Sequence, residues 1–163
     1  MQSFLRFKPL HIYNILLFII FCVIVNSSNQ FQIFYTSLYC IFHLLLVYLG
    51  LYHFRNLLYP IFFLYGLGLD ILLLNEIGPH LLVFMISIII IKILTTYLSN
   101  LNSIRIYFFL ISFQLMMIFS EIFFSYLIVD IRSDYISLLN IAILTLMLSY
   151  PSLIIFSRID KIK

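Results

Sequence analysis

Six apolar stretches of membrane-crossing length, each closed by a short polar break, leave this chain almost no choice of solvent. A helix needs about 20 apolar residues to cross a hydrocarbon layer of roughly 30 Å. The stretches lie at about 10–25, 33–52, 57–74, 79–98, 104–129 and 135–156, and they use nearly all of the 163 residues. Only 9% of the residues are charged, against about 25% in an average soluble domain. Nine Lys and Arg with six Asp and Glu cannot wet the surface of a 19.4 kDa globule. A mean hydropathy of +1.18 also excludes intrinsic disorder, which needs low hydrophobicity and high charge. The expected fold is an all-α integral membrane protein of one domain, with six transmembrane helices and no extramembrane part.

Charge placement orients those helices. The first stretch follows Arg6 and Lys8, as in a signal peptide. No small-x-small cleavage site follows it and more stretches do, so it reads as an uncleaved first helix. With six crossings, one side receives Arg6, Lys8, Arg55, Arg105, Arg158, Lys161 and Lys163. The other receives Arg132, with Glu76, Asp130 and Asp134. Basic residues stay on the cytoplasmic side, so both termini are expected there, and an odd number of crossings would erase the asymmetry. The net charge of +3 is small and its cations are scattered, so no nucleic-acid partner is expected. Cys22 and Cys40 lie in separate stretches without a CxxC or a companion His at metal spacing. They read as free thiols packing like small hydrophobes, and no metal site is expected.

Charged groups at bilayer depth cost about 2.5–3.5 kcal/mol on insertion scales, so each needs a reason. Lys92 lies close enough to the cytoplasmic end of its helix to snorkel. Asp70 is different, because it sits near the external C-terminus of the third helix, where the macrodipole is unfavourable to an acid. Gly66 lies one turn earlier on the same face, and Gly68 and Gly78 are close by, so another backbone can approach. Glu121 falls at about the same depth on the fifth helix. Arg132, in the following break, is the nearest cation for either acid, which makes Glu121 and Arg132 a candidate intramembrane polar network. Asn14, His43, Gln114 and Asn140 read as polar groups that join helices.

Catalytic patterns are missing. Gly66-Leu67-Gly68-Leu69-Asp70 differs from the GxGD of intramembrane aspartyl proteases by the intervening Leu69, and Asp130 lies in a break rather than on a facing helix. That chemistry needs two carboxylates sharing a proton. There is no HExxH, no G-x-S-x-G and no phosphate cradle. No enzymatic activity, catalytic residue or cofactor is expected.

Leu46-Val47-Tyr48-Leu49-Gly50-Leu51-Tyr52-His53-Phe54-Arg55, then Gly66-x3-Asp70, then Ile77-Gly78, resembles the rod shape-determining protein MreD family. Tyr150-Pro151, followed by an apolar run and Arg158, extends the resemblance into the last helix. It covers about residues 38–98 and 145–163. Two departures are Tyr52-His53-Phe54 where the family often has Pro before the basic residue, and Leu74 where it often has a small residue. The resemblance implies a multi-pass scaffold in the bacterial inner membrane that serves cell elongation and lateral-wall peptidoglycan synthesis. Its implied partners are an MreC-like bitopic membrane protein, an MreB-like actin filament protein, the elongation peptidoglycan polymerase and transpeptidase, and the lipid bilayer. Gly66, Asp70, Gly78, Arg55 and Pro151 are the implied partner-binding or structural motif. The family is thought to share its fold with the small substrate-binding components of energy-coupling-factor transporters. The alternative expectation is therefore a small-molecule-binding subunit of such a transporter.

Overall fold

A computed structural model of the chain describes residues 9–27, 32–74, 76–98, 103–130 and 135–160. Among these residues there are only helices and short turns. Apolar runs in lipid must satisfy every backbone N–H and C=O internally, and the helix does so within one segment. The elements are α1 (Pro9–Ser27), α2 (Gln32–Tyr52), α3 (Leu58–Leu69), α4 (Pro79–Leu98), α5 (Ser103–Val129) and α6 (Tyr135–Asp160). Four of them, α2, α4, α5 and α6, are long and apolar enough to cross a membrane, while α1 and α3 carry shorter apolar runs. The chain is thus all-helical, with the make-up of a helical membrane protein. Hydroxyls on exposed faces turn back to their own helix: Ser37 donates to the Ile33 carbonyl and Ser120 to that of Met116. Such local bonds spare them a partner in lipid.

Consecutive helices run antiparallel. Phe21 near the end of α1 stacks on Tyr35 near the start of α2, and Phe42 of α2 packs edge-on to Tyr65 of α3. Alternation makes α2 and α6 parallel, so Cys40 meets Thr145 while Tyr48 meets Phe156 further along both helices. α2 is the central element, packed against α1, α4, α5 and α6. Its run from Leu44 to Leu49 is buried on every side, whereas α6 lies mostly on the surface. Pro151 sits inside α6 on its exposed face, where it withholds one helical hydrogen bond.

Two element boundaries depart from expectation. The third apolar stretch is not one continuous α-helix, because from Asp70 to Leu74 it widens into a π-helical turn. The last helix runs to Asp160 rather than ending near residue 156. There Asp160 meets His53 of the α2–α3 turn at 2.9 Å, tying the end of α6 to that connection.

Candidate functional site

α4 begins Gly78-Pro79-His80-Leu81, a start with no Ser, Thr, Asp or Asn to cap it. A helix start leaves backbone N–H groups without helical partners, and inside a bundle each must be satisfied. Asp70 satisfies them from eight residues back. Its Oδ2 accepts from the N–H of Gly78 at 2.8 Å and of Leu81 at 3.1 Å, and its Oδ1 from the N–H of His80 at 2.8 Å. Pro79 has no N–H to satisfy, and the Leu82 N–H bonds to the Gly78 carbonyl at 2.9 Å. Asp70 is therefore a remote N-cap, fully buried and accounting for the whole start of the helix.

Two features allow this reach. Gly66, one turn before Asp70, lies so close to α4 that a Cβ there would fall 2.7 Å from the Leu81 Cα. Gly78 has φ +157°, a conformation that L side chains rarely adopt, and it turns the chain back toward the carboxylate. The π-turn begins at Asp70 itself, and such widenings re-aim side chains and often accompany functional sites. The unfavourable C-terminal dipole of its own helix is offset here, because Asp70 faces the positive N-terminus of α4.

The cluster continues from His80. Its Nδ1 lies 2.9 Å from Asp70 Oδ1, and its Nε2 lies 3.8 Å from Glu121 Oε2 on α5. Glu121 also accepts from the Tyr39 hydroxyl and lies 2.9 Å from His43 Nε2, both on α2. His43 Nδ1 is 2.8 Å from the Tyr39 carbonyl. One continuous line of side chains, Asp70–His80–Glu121–His43 with Tyr39 beside it, thus joins the π-turn, α4, α5 and α2. All five are buried, Asp70, Glu121 and His43 almost completely. Beyond His43 the ring of Phe84 stands edge-on to the imidazole at 5.5 Å, and Phe62 packs against Phe84 in turn, with ring centres 5.8 Å apart.

A second, smaller polar layer joins α2, α5 and α6: Gln114 donates to the Cys40 carbonyl at 2.7 Å and Thr145 to the Cys40 sulfur at 3.3 Å. Neither cysteine is in a disulfide; Cys40 is buried and Cys22 half-buried. Asn14 is buried on α1, and Asn140 is exposed on α6.

The structure therefore brings together Gly66, Asp70 and Gly78 as one structural unit, and links it to Glu121. Arg55 is exposed in the α2–α3 turn and Pro151 is exposed on α6, both apart from that unit. Arg132, expected to pair with an acid, lies outside the described residues. Among the described residues, the side-chain partners of Asp70 and Glu121 are His80, His43 and Tyr39. Lys92 sits over the Tyr59 ring, 5.8 Å from its centre. Among the described residues, no group of three His, Cys, Asp or Glu side chains is arranged to hold a metal ion. Compared with protein-family models, curated proteins and solved structures, the chain matches none of them.

Two members of the cluster, His80 and Tyr39, carry no signal of their own in the sequence, although the place of His80 does. The signal available was a pair of gaps: a helix start with no cap of its own, and an acid eight residues earlier with no local partner.

Proposed function

We propose that this chain is a non-enzymatic multi-pass scaffold of the bacterial inner membrane, serving the cell-elongation machinery in the way its resemblance to the MreD family implies. In this reading it crosses the membrane six times with both termini in the cytoplasm. It binds MreC-like and MreB-like partners and the enzymes of lateral-wall peptidoglycan synthesis. The observation that carries the reading is the convergence of Gly66, Asp70 and Gly78. These residues carry the resemblance, and they are mutually dependent parts of one α3–α4 hairpin. A motif of that kind holds a rigid surface in place, while Arg55 and the Tyr150-Pro151 face remain exposed for contact.

One observation favours the transporter-subunit reading as second choice. A cavity of about 740 Å³ lies between the first halves of α2 and α6, lined by Thr36, Ser137 and Asn140 among apolar side chains. That is within the range of small-molecule pockets, which run from about 300 to 1,000 Å³.

The deciding experiment is purification of the tagged protein from its own membranes in mild detergent, with mass spectrometry of what accompanies it. Recovery of a single-span partner with wall-synthesis enzymes is the expected result. Recovery of paired ATPases and a second polytopic subunit instead would replace the scaffold with the transporter.

A further inference from the structure

The hydrogen-bond geometry of the buried cluster leaves one proton unassigned. The Tyr39 carbonyl can only accept, so His43 carries a proton on Nδ1. A single proton then lies between His43 Nε2 and Glu121 Oε1, 2.9 Å apart, and that pair is neutral overall whichever atom holds it. Asp70 accepts four hydrogen bonds, three from backbone and one from His80 Nδ1, so it is a carboxylate and His80 Nδ1 is protonated. Only His80 Nε2 is left open.

We propose that His80 is a proton-binding site: its Nε2 takes up one exchangeable proton from the end of the bundle that carries the α3–α4 turn, and holding it ties α4 to α5 through Glu121. With the proton in place, the four ionisable groups are neutral together, and an N–H faces Glu121 Oε2 across 3.8 Å. Without it, the cluster has one net negative charge, and a nitrogen lone pair faces a carboxylate oxygen. Uncompensated charge in a low-dielectric interior is costly, so the first state closes the α4–α5 contact and the second loosens it. Opposing this, the positive N-terminus of α4 disfavours a cation on its second residue, and the balance keeps the proton exchangeable.

The titratable groups facing His80 and Glu121 are Asp70 from the π-turn, Tyr39 and His43 from α2, and Tyr35 of α2 at longer range. Access is one-sided. His80 is the second residue of α4, directly after the turn where Glu76 and Ile77 are exposed, whereas on the far side the Phe84 ring stands edge-on to His43. The proton comes from water as hydronium and returns to it by the same route, so the site stores a proton and conducts none.

The test needs no partner protein, and so it stands or fails separately from the scaffold reading. The protein, labelled with 15N-histidine in lipid nanodiscs, is followed by imidazole 15N spectra between about pH 5 and 9, a range that brackets ordinary imidazole titration. The four histidines are distinguished with His80→Gln and His43→Gln. In the wild type, His80 Nδ1 stays protonated throughout, while Nε2 passes from protonated to bare as pH rises. Glu121→Gln removes the facing carboxylate and should alter that pH dependence, and a profile identical to wild type overturns the tie to α5. The wild-type spectra decide the matter even where a variant fails to insert: an Nε2 signal constant across the range, or loss of the proton from Nδ1 instead, overturns the site. Reconstituted vesicles with an internal pH dye should leak protons no faster than protein-free vesicles, and a faster leak overturns the one-sided access.

Discussion

Asp70 illustrates how a costly residue is made tolerable in a bundle of this kind. Its carboxylate meets three backbone donors and one imidazole, so both oxygens have two partners each. Asp70→Asn places an amide where one oxygen accepts two backbone N–H groups, and leaves donors facing donors. Loss of such a buried hydrogen bond costs about 1–3 kcal/mol. The expected outcome is normal membrane insertion, a lower thermal midpoint in detergent and weaker recovery of partners. Unchanged cell shape, growth and partner recovery would leave Asp70 with a structural role alone. The acid was conspicuous in the sequence because charge at bilayer depth demands an explanation. Its partners were not, since backbone N–H groups have no signature in composition and His80 reads as an ordinary residue after Pro79.

At the scale of elements, the α3–α4 hairpin is held by proximity rather than by a larger apolar face. Lipid is as apolar as the helix surfaces it covers, so exclusion from water does not drive helices together in a membrane. Close backbone packing and interhelical hydrogen bonds do, the latter averaging about 0.6 kcal/mol each. Gly66→Ala would put a methyl against the Leu81 Cα, a backbone atom that cannot rotate away. It should cost about 1–3 kcal/mol through displacement of α4. Gly50→Ala meets only side-chain atoms, those of Ile91 at 3.0 Å, and no backbone. That change should cost less than Gly66→Ala, because a side chain yields more readily than backbone and Ala is the better helix residue by about 0.5–1 kcal/mol. Thermal unfolding of the two variants side by side checks the contrast, and equal losses would show that Gly66 does not set the helix separation. The places of the six helices were readable from apolar run length, though the ends of the third and the last were not. The π-turn was not, because nothing local in Asp70-Ile71-Leu72-Leu73-Leu74 marks it, and the hydrogen bonds that Asp70 makes at its start go to α4.

For the molecule as a whole, the charge asymmetry carries the prediction of orientation. A reporter fused after Lys163 should be active only in the cytoplasm, and activity confined to the periplasm would sink the six-crossing arrangement. Hydropathy alone was enough to establish a helical chain with lipid-compatible surfaces. The need to satisfy backbone groups within each segment turns an apolar run into a helix regardless of its neighbours. Hydropathy also marked Asp70 and Glu121 as the acids needing partners, since burial cost is a property of the side chain itself. The partnership between them came from three dimensions. It depends on Gly66 letting α4 approach, on the turn at Gly78, and on α2 lying at the centre so that Tyr39 and His43 reach Glu121. Those residues are as much as 82 positions apart in the chain. Contacts at that separation are decided by how six helices pack, and no local pattern encodes them.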